Sequence, residues 1–518
     1  MKATAIITSW RGWWKVIGGC GVIGAAAVIA IRMGNIQLTL FSILGCVTLL
    51  SLLALSDWRS GVLLLIAWLM VEDLIRKYMG NNMLVYFFKD IIYITTLFTI
   101  VSFRQGYQPF KPPFLIPLAL FLLFALVQTF NPNTPSPLYG LLGFRMNFLY
   151  LPLLWVGFRL WQTPQDLGRF WVFCMVLGTV VAVLGIIQGI VGLDFLNPPT
   201  LAEEIRPLAY LVREAPISGY KVPRPCSVFV SDGRFGQFMF LCLTLGLGAS
   251  IALLLHRPWR EWLSRQQQGA LLLGTGICAV ALFITGSRGG FLFGALTVLV
   301  LFLISRWQAT LEYVRKRWRK TLLATLVAVG GIFFIALTIA PEALEARWAF
   351  YWETLSPWSP RSELFDRIFV YHPQNFMIAF LTPYALWGQG FGTNSLGGQY
   401  LMKFAHVPPP PVIVESGLGN IVLEVGIVGL GLWLFWSFSV TLWAWRSALS
   451  LRDTPFAPIA TSIAWYTTVK VVNPLWGGMA SFQEFIGNAF LWLLLGILGR
   501  LTYFAKNLNV FTPIAEGG

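Results

Sequence analysis

The sequence LGNIVLEVGIVGLGLWLFW (418–436) is an apolar run long enough to form a helix that crosses a lipid bilayer. A polar segment rich in glycine and proline, WGQGFGTNSLGGQYLMKFAHVPPPPVIVESG (387–417), leads into it without a break. Two carboxylates, Glu415 and Glu424, lie on either side of this change from polar to apolar sequence. The chain therefore carries acidic side chains at a predicted boundary between water and lipid.

The composition shows that this apolar run is one of many. Of the 518 residues, 57% are hydrophobic and only 11% are charged, and the mean hydropathy is +0.70. A soluble protein of this size needs far more surface charge, and the apolar runs exceed what one buried core holds. We therefore predict an all-α polytopic membrane protein with about 12–14 transmembrane helices. The candidate spans are 16–31, 36–55, 60–75, 83–103, 113–130, 146–161, 171–193, 236–255, 269–286, 289–304, 321–340, 418–445, 457–472 and 485–501.

Basic residues predict the orientation of these spans. The net charge is +15, and in a membrane protein basic residues gather in cytoplasmic loops more often than they bind nucleic acid. With a cytoplasmic N-terminus, the two densest basic runs, HRPWREWLSRQQQ (256–268) and SRWQATLEYVRKRWRK (305–320), fall on the cytoplasmic side. An even number of spans returns the C-terminus to that side.

Two long connections then lie on the opposite, extracytoplasmic side. Both mix proline, glycine, aromatic and charged residues, which is typical of ordered loops. The second contains two predicted helical segments, PEALEARWAFYWETL and RSELFDRIFVYHPQNFMIAF. The predicted organisation is a transmembrane bundle at 1–340 with an outer loop at 194–235, an extracytoplasmic loop with short helices at 341–417, C-terminal transmembrane helices at 418–501 and a cytoplasmic tail at 502–518.

Cysteine, histidine and glycine patterns favour neither a metal nor a nucleotide cofactor. The six cysteines lie mostly in apolar runs without paired spacing, and the three histidines lack the spacing of metal ligands. The sequence also lacks a glycine-rich nucleotide loop and an acid pair that would hold a metal-bound nucleotide sugar. We therefore expect no metal and no cofactor.

Arginines predicted on the extracytoplasmic face are unusual, because orientation rules leave that face poor in positive charge. They are Arg145, Arg224, Arg288 and Arg367. Arg288 lies in TGSRGG, a tight connection between two apolar runs, where its rigid fork of donors would suit phosphate oxygens. Its simpler role would be to reach lipid headgroups from a hairpin turn.

The other three arginines leave a functional and a structural role open. Arg145, in LLGFRMNFLYLPLL, opens a predicted span and would serve equally well as an interfacial anchor. Arg224 lies in a loop just before the eighth span. Arg367 has Glu363 and Asp366 close by as ion-pair partners on a short helix.

The carboxylates also have two interpretations. Glu415 and Glu424 are nine residues apart, so a continuous helix would place them on opposite faces, which excludes an acid/base pair. At the start of the helix, Glu415 would act as a general base on a hydroxyl or merely favour the helix dipole. Glu424 shares a helix face with Asn420, and for it we favour an interhelical hydrogen bond. His406, which precedes a run of four prolines, is predicted to be an exposed loop residue.

Taken together, TGSRGGFLFGAL (285–296), a long outer loop, WGQGFGTNS (387–395) and ESGLGNIVLEVGIVGLGLWL (415–434) resemble the O-antigen ligase and polysaccharide polymerase family. The resemblance is specific mainly in 285–294 and 388–430. It implies an integral membrane glycosyltransferase of C-type architecture. Such a protein transfers a glycan from a polyprenyl diphosphate carrier to an acceptor hydroxyl, on a lipid or a glycan, without a metal.

The resemblance also implies roles for individual residues. Arg288 matches the arginine of the tight turn, and Arg224 and Arg145 match the other arginines that bind the diphosphate. The family usually has a histidine about nine residues before the glutamate of its E-x-G-I-x-G-L segment, which here starts at Glu424. Glu415 occupies that position and would take the role of the base. This departure favours a divergent, polymerase-like or other transferase branch over a strict ligase.

The implied location is the bacterial cytoplasmic membrane, with both termini in the cytoplasm and the active site facing outward. Arg367, His406 and Glu424 are further possible site residues. The main alternative is a transporter of an anion or a lipid-linked glycan, for which outer-face arginines would also be suitable. A transporter would be expected to have paired broken helices related by an internal repeat, and the sequence has no fixed-period repeat.

Overall fold

The computed structural model describes residues 10–102, 110–198, 211–304 and 341–508, most of which are helical. Within these ranges nine helices are long and apolar enough to cross a membrane, and two shorter apolar helices, Leu115–Gln128 and Arg288–Leu301, accompany them. This is the architecture expected of an all-α polytopic membrane protein. The predicted span at 321–340 and the basic run at 305–320 lie outside the described residues.

The chain forms two compact units, one within 1–108, 160–299 and 306–354 and one within 109–159, 300–305 and 355–518. The elements of the first unit are α1 (Trp10–Arg32), α2 (Ile36–Ser56), α3 (Trp58–Tyr78), α4 (Met83–Ser102), α8 (Pro164–Val191), β1 (Val212–Glu214), β2 (Lys221–Pro223), α9 (Asp232–Leu255), α10 (Arg257–Trp262), α11 (Arg265–Ile284), α12 (Arg288–Ile304, which begins here) and α13 (Pro341–Leu355).

The second unit consists of helices only, among its described residues. They are α5 (Leu115–Gln128), α6 (Leu138–Phe148), α7 (Leu153–Arg159), α14 (Glu363–Asp366), a π-helical turn (Arg367–Tyr371), α15 (His372–Phe380), α16 (Leu396–Phe404), α17 (Gly417–Ser450), α18 (Ala457–Gly477), α19 (Ala480–Gln483) and α20 (Phe485–Leu508).

Most predicted spans match helices to within a few residues, but the span predicted at 146–161 begins too late. The apolar helical segment begins at Leu138 and ends at Arg159, with a turn at 149–152 between α6 and α7. Arg145 therefore lies in the last turn of α6 and does not open a span. A single arginine lowers the local hydropathy, which is why the predicted boundary fell after it although the helix starts about two turns earlier.

Large apolar side chains cover the outer faces of the long helices. On α2, for example, Phe41, Leu49 and Leu52 are exposed, whereas Ile43 and Val47 on the opposite side are fully buried. Water would penalise such a surface at roughly 25 cal/mol per Å² of apolar area, and a lipid environment removes that penalty.

A buried ion pair joins α3 to α4 inside the first unit. The ammonium group of Lys89 on α4 lies 2.7 Å from a carboxylate oxygen of Glu72 on α3, and both side chains are buried. Removing one partner of a buried pair leaves an uncompensated charge, at a cost of about 3–5 kcal/mol. The pair therefore fixes how α3 and α4 pack together.

A short antiparallel hairpin, β1–β2, belongs to the first unit. Its register places Arg213 opposite Val222, and its turn is held by Glu353 of α13. The Glu353 carboxylate accepts hydrogen bonds from the backbone of Ile217 at 2.7 Å and of Ser218 at 3.1 Å. Burial opposes the charged carboxylate, but these hydrogen bonds outweigh it, so the pKa of Glu353 lies below its ordinary value.

Candidate functional site

The TGSRGG segment forms the tight connection that its glycines predict. Helix α11 ends at Ile284 and α12 begins at Arg288, with Gly286 at φ +64° between them. The Ser287 hydroxyl accepts a hydrogen bond from the backbone of Gly290 at 3.2 Å, which closes the first turn of α12. Arg288 is thus the first residue of a helix, where unpaired backbone N–H groups favour anions.

Arg288 is half-buried and leans on an aromatic ring. Its guanidinium carbon lies 5.7 Å from the centroid of Phe350, which is a buried side chain of α13. A cation over an aromatic face within about 6 Å is attracted to the ring. The contact holds the arginine against α13 within the first unit.

Arg224 packs against the same turn. A Cβ atom built on Gly286 would lie 3.0 Å from Cγ of Arg224, so the Arg224 side chain lies directly against this glycine. One guanidinium nitrogen of Arg224 lies 2.6 Å from a carboxylate oxygen of Asp232, the first residue of α9. The structure therefore brings together Arg224 and the turn that carries Arg288.

Two helix N-termini meet at this place. A Cβ atom built on Gly236, in the second turn of α9, would lie 3.1 Å from Cβ of Ser287, directly before α12. The N-terminus of each helix carries a partial positive charge of roughly half an elementary charge. Together with Arg224 and Arg288, these N-termini create a positively charged region. It contains one carboxylate described above, Asp232, which pairs with Arg224.

Sequence reasoning missed Arg347, although it belongs to this region. Its guanidinium group is buried and donates to the carbonyl oxygens of Ile284 at 3.2 Å, Ala343 at 3.0 Å and Pro223 at 3.2 Å. Tyr351, one turn later on α13, donates to the carbonyl of Phe283 at 2.9 Å. These bonds tie α13 to the end of α11 and so support the TGSRGG turn. Arg347 and Tyr351 are four residues apart, and this spacing was the signal in the sequence that both side chains lie on one face of the helix.

A second arginine cluster that the sequence did not reveal surrounds Asp73 on α3. Its carboxylate oxygens lie 3.0 Å from Arg76 and 2.6 Å from Arg234, and all three side chains are largely buried. Arg234 lies in the first turn of α9, two residues after Asp232. The start of α9 is therefore anchored by ion pairs from both sides.

The polypeptide just before α9 is buried in the first unit, and residues 199–210 of the predicted outer loop at 194–235 lie outside the described residues. The side-chain oxygen of Gln188 accepts hydrogen bonds from the backbone of Cys226 at 2.8 Å and of Ser227 at 2.7 Å. Lys77 donates to the carbonyl of Ser227 at 2.8 Å. Buried side chains therefore satisfy this non-helical backbone, as apolar surroundings require.

In the second unit, Glu415 lies directly before the start of α17. Ser416 caps that helix by accepting a hydrogen bond from Gly419, and Glu415 itself is exposed. The Tyr371 hydroxyl donates a hydrogen bond of 2.5 Å to Oε2 of Glu415. The backbone N–H of Glu415 donates to the side-chain oxygen of Asn375 at 3.2 Å. Glu415 is thus an exposed carboxylate with a fixed position.

Glu424 is buried. A hydrogen bond to a neighbouring helix was predicted for it, but its carboxylate accepts hydrogen bonds from a loop instead. Its Oε1 accepts a hydrogen bond of 2.9 Å from the backbone of Asn394, in the loop that follows WGQGFG. A second backbone donor is Gly392. This loop packs on α17 where a neighbouring helix was expected, and the Glu424 carboxylate holds it in place.

This loop fills an interruption in α17. Gly426 has φ +68° and ψ −176°, which breaks the helical hydrogen bonding there. The loop supplies replacements, since Gln389 and Gly390 donate to the carbonyls of Leu423 and Glu424, and Ile427 donates to Ala385. We refer to residues 385–395 as the glycine loop. Its fit requires Gly388, because a Cβ atom there would lie 2.5 Å from the carbonyl oxygen of Glu424.

The remaining predicted site residues also lie in the second unit. Arg145 is half-buried in α6. Arg367, in the π-helical turn, lies 3.8 Å from Glu363, the partner expected for it. His406 is an exposed loop residue with φ +51°, as predicted.

His372 is a neighbour of Tyr371 that the sequence did not single out. Burial lowers the pKa of its imidazole, the charge of Arg367 lowers it further, and Glu415 opposes this shift.

The structure therefore places Arg224 and Arg288 in the first unit and Glu415, Glu424 and Arg145 in the second. No group of three or more histidine, cysteine, aspartate or glutamate side chains able to hold a metal ion occurs in the described part of the chain. No protein-family model and no curated protein sequence matches this chain.

Proposed function

We propose that this protein is a C-type glycosyltransferase of the bacterial cytoplasmic membrane, similar to O-antigen ligases and polysaccharide polymerases. It would transfer a glycan from a polyprenyl diphosphate carrier to an acceptor hydroxyl at the outer face. The observation that carries the proposal is the packing of Arg224 against Gly286, which adds a second arginine to the turn that bears Arg288.

Arg224 and Arg288 would bind the diphosphate. Negative charge grows on the diphosphate as the bond from the sugar to its oxygen breaks, and donors fixed in advance stabilise that charge. Arg224 and Arg288 offer such donors, and the N-termini of α9 and α12 add to them. The ion pair with Asp232 orients the Arg224 side chain. For Arg145, the role in diphosphate binding rests on the sequence resemblance.

Glu415 would activate the acceptor. Glu415 is exposed and has its carboxylate fixed by Tyr371, so it can take the proton of an acceptor hydroxyl. The acceptor oxygen then bonds to the anomeric carbon, the bond from that carbon to the diphosphate oxygen breaks, and polyprenyl diphosphate leaves. Attack from the opposite side inverts the anomeric configuration. Tyr371 acts here as a positioning residue.

Reconstitution tests this proposal. Purified protein in proteoliposomes is supplied with polyprenyl diphosphate-linked glycan, and release of polyprenyl diphosphate is followed with and without acceptor. We expect release to need an acceptor and to fall about 10²–10³-fold in Arg288→Ala and Glu415→Ala. Arg257→Ala is the matched control, because Arg257 is exposed and pairs with Glu261 on its own short helix. Wild-type turnover by folded Arg288→Ala and Glu415→Ala proteins would contradict the proposal.

One observation favours the alternative, a transporter. Helix α17 is interrupted at Gly426, and carriers often bind their substrates at discontinuous helices. A transporter would move an anion or a lipid-linked glycan across sealed vesicles without releasing polyprenyl diphosphate. The same reconstitution therefore separates the two functions.

A further inference from the structure

A cluster of buried polar side chains lies at the interruption of α17, and the proposed reaction does not use it. Asn420 and Glu424 are four residues apart on one face of α17, and Asn394 lies in the glycine loop. Their exposed fractions are 6%, 6% and 8%, so the cluster is closed to solvent. All three belong to the second unit.

Hydrogen bonds within the protein satisfy only part of this cluster. Glu424 accepts from the backbone of Asn394, and the side-chain nitrogen of Asn420 donates to the carbonyl of Asn394 at 3.4 Å. The side-chain oxygens of Asn394 and Asn420 are buried and accept no hydrogen bond, and the Asn394 amide nitrogen donates none. Because nearly all buried polar groups in proteins have partners, these oxygens point to a bound species.

The charge of Glu424 indicates what that species is. In the described part of the chain no lysine, arginine or histidine forms an ion pair with this carboxylate, and a buried charge without a counter-charge is costly. Two backbone N–H groups, those of Gly392 and Asn394, donate to this carboxylate. The helical segment that begins at Gly417 also ends at Gly426, and the carbonyl end of a helix attracts positive charge.

We infer that this cluster binds one monovalent alkali cation, Na⁺ or K⁺, through the Glu424 carboxylate and the side-chain oxygens of Asn394 and Asn420. One carboxylate and one monovalent cation leave the buried cluster neutral. Calcium sites, in contrast, usually combine several carboxylates with six to eight oxygen ligands. The ion would connect α17 to the glycine loop, and the inference does not depend on the proposed glycosyl transfer.

Thermal unfolding of the purified protein in different salts tests the inference. The midpoint Tm is measured at one pH and ionic strength in sodium, potassium and choline chloride. We expect a saturable rise in Tm, on the order of 3 °C, in one alkali salt and none in choline. Glu424→Gln, which keeps an oxygen to accept from Asn394, should lose the response. Asp453→Asn is the control, because this exposed carboxylate lies outside the cluster and should leave the response intact.

A second measurement does not depend on whether Glu424→Gln folds. Binding of ²²Na⁺ to the wild-type protein, with potassium as competitor, should saturate at one ion per chain. Asn420→Ala should raise the half-saturating concentration about tenfold. Equal Tm values in all three salts with no saturable ²²Na⁺ binding would overturn the inference. So would a Tm that depends on pH to the same extent in every salt, because a proton would then neutralise Glu424.

Discussion

The Tyr371 hydroxyl donates a hydrogen bond to Oε2 of Glu415, a residue 44 positions later in the chain. The bond joins the π-helical turn to the start of α17, so the exposed carboxylate does not move freely. It also raises the pKa of Tyr371 above its ordinary value, with burial as a smaller cause. Tyr371 therefore remains a donor over the whole physiological pH range.

Loss of this bond should slow transfer. In Tyr371→Phe we expect kcat to fall about 10-fold while KM changes less than twofold, since a hydrogen bond to a charged group contributes about 1.5–3 kcal/mol. Acceptor-dependent release of polyprenyl diphosphate measures both constants. Tyr220→Phe is the matched control, because Tyr220 donates to Glu345 at 3.1 Å in the first unit. Equal kinetics of the two variants would exclude the positioning role.

His372 should titrate below the usual range of histidine. Burial and the charge of Arg367 lower its pKa, so its neutral form stabilises the fold above the unfolded-state pKa of about 6.5. That stabilisation is lost as the pH falls through the lower, folded-state pKa. Arg367→Gln should raise the His372 midpoint, whereas Arg361→Gln should not. The chain has only three histidines, so NMR titration of ¹⁵N-labelled histidine can follow each one.

The Glu72–Lys89 pair gives a test of stability in the first unit. Lys89→Met should destabilise the protein by about 3–5 kcal/mol, because it leaves a buried carboxylate without its cation. The double variant Glu72→Leu/Lys89→Met should recover most of this loss. Denaturant unfolding in detergent measures the free energies. If the double variant were less stable than Lys89→Met by the full cost of replacing Glu72, the two residues would not be coupled as the 2.7 Å contact implies.

Gly426 should tolerate no side chain. Its backbone conformation, φ +68° and ψ −176°, is open only to glycine, and a Cβ atom would lie 2.2 Å from the carbonyl oxygen of Leu386. We expect Gly426→Ala to lower the free energy of unfolding by at least about 2 kcal/mol. Gly431→Ala, on the same helix with open space at its Cβ, should be neutral or slightly stabilising. Equal stabilities would mean that α17 is not interrupted at this residue.

Hydropathy predicted the long helices well, because burial of an apolar run in lipid dominates their formation. The helices at 341–355 and 363–380 were predicted too, from a local pattern of apolar and charged residues. Arg145 shows the limit of this approach, since one charge inside an apolar segment moved a predicted boundary by eight residues from the observed start at Leu138.

The buried non-helical segments could not be predicted in the same way. Polar, glycine-rich sequence is typical of exposed loops, yet Ser227 and Asn394 lie in segments packed inside their units. Their backbones are satisfied by Gln188 and Glu424, which are distant in sequence. Such partners depend on tertiary packing, and a single sequence carries no local sign of them. For the same reason the ion pairs of Asp73 were missed.

The interruption at Gly426 also determines which part of α17 is required to cross the membrane. The helix has 34 residues, which at 1.5 Å per residue is about 51 Å, far more than a hydrocarbon layer of about 30 Å. The portion after the break, about 24 residues, spans roughly 36 Å and is long enough to cross that layer by itself. The shorter portion, from Gly417 to Val425, therefore does not have to cross the membrane. A bilayer of different thickness would therefore be matched by tilt of the long portion, without displacing the buried carboxylate or the loop that packs on it.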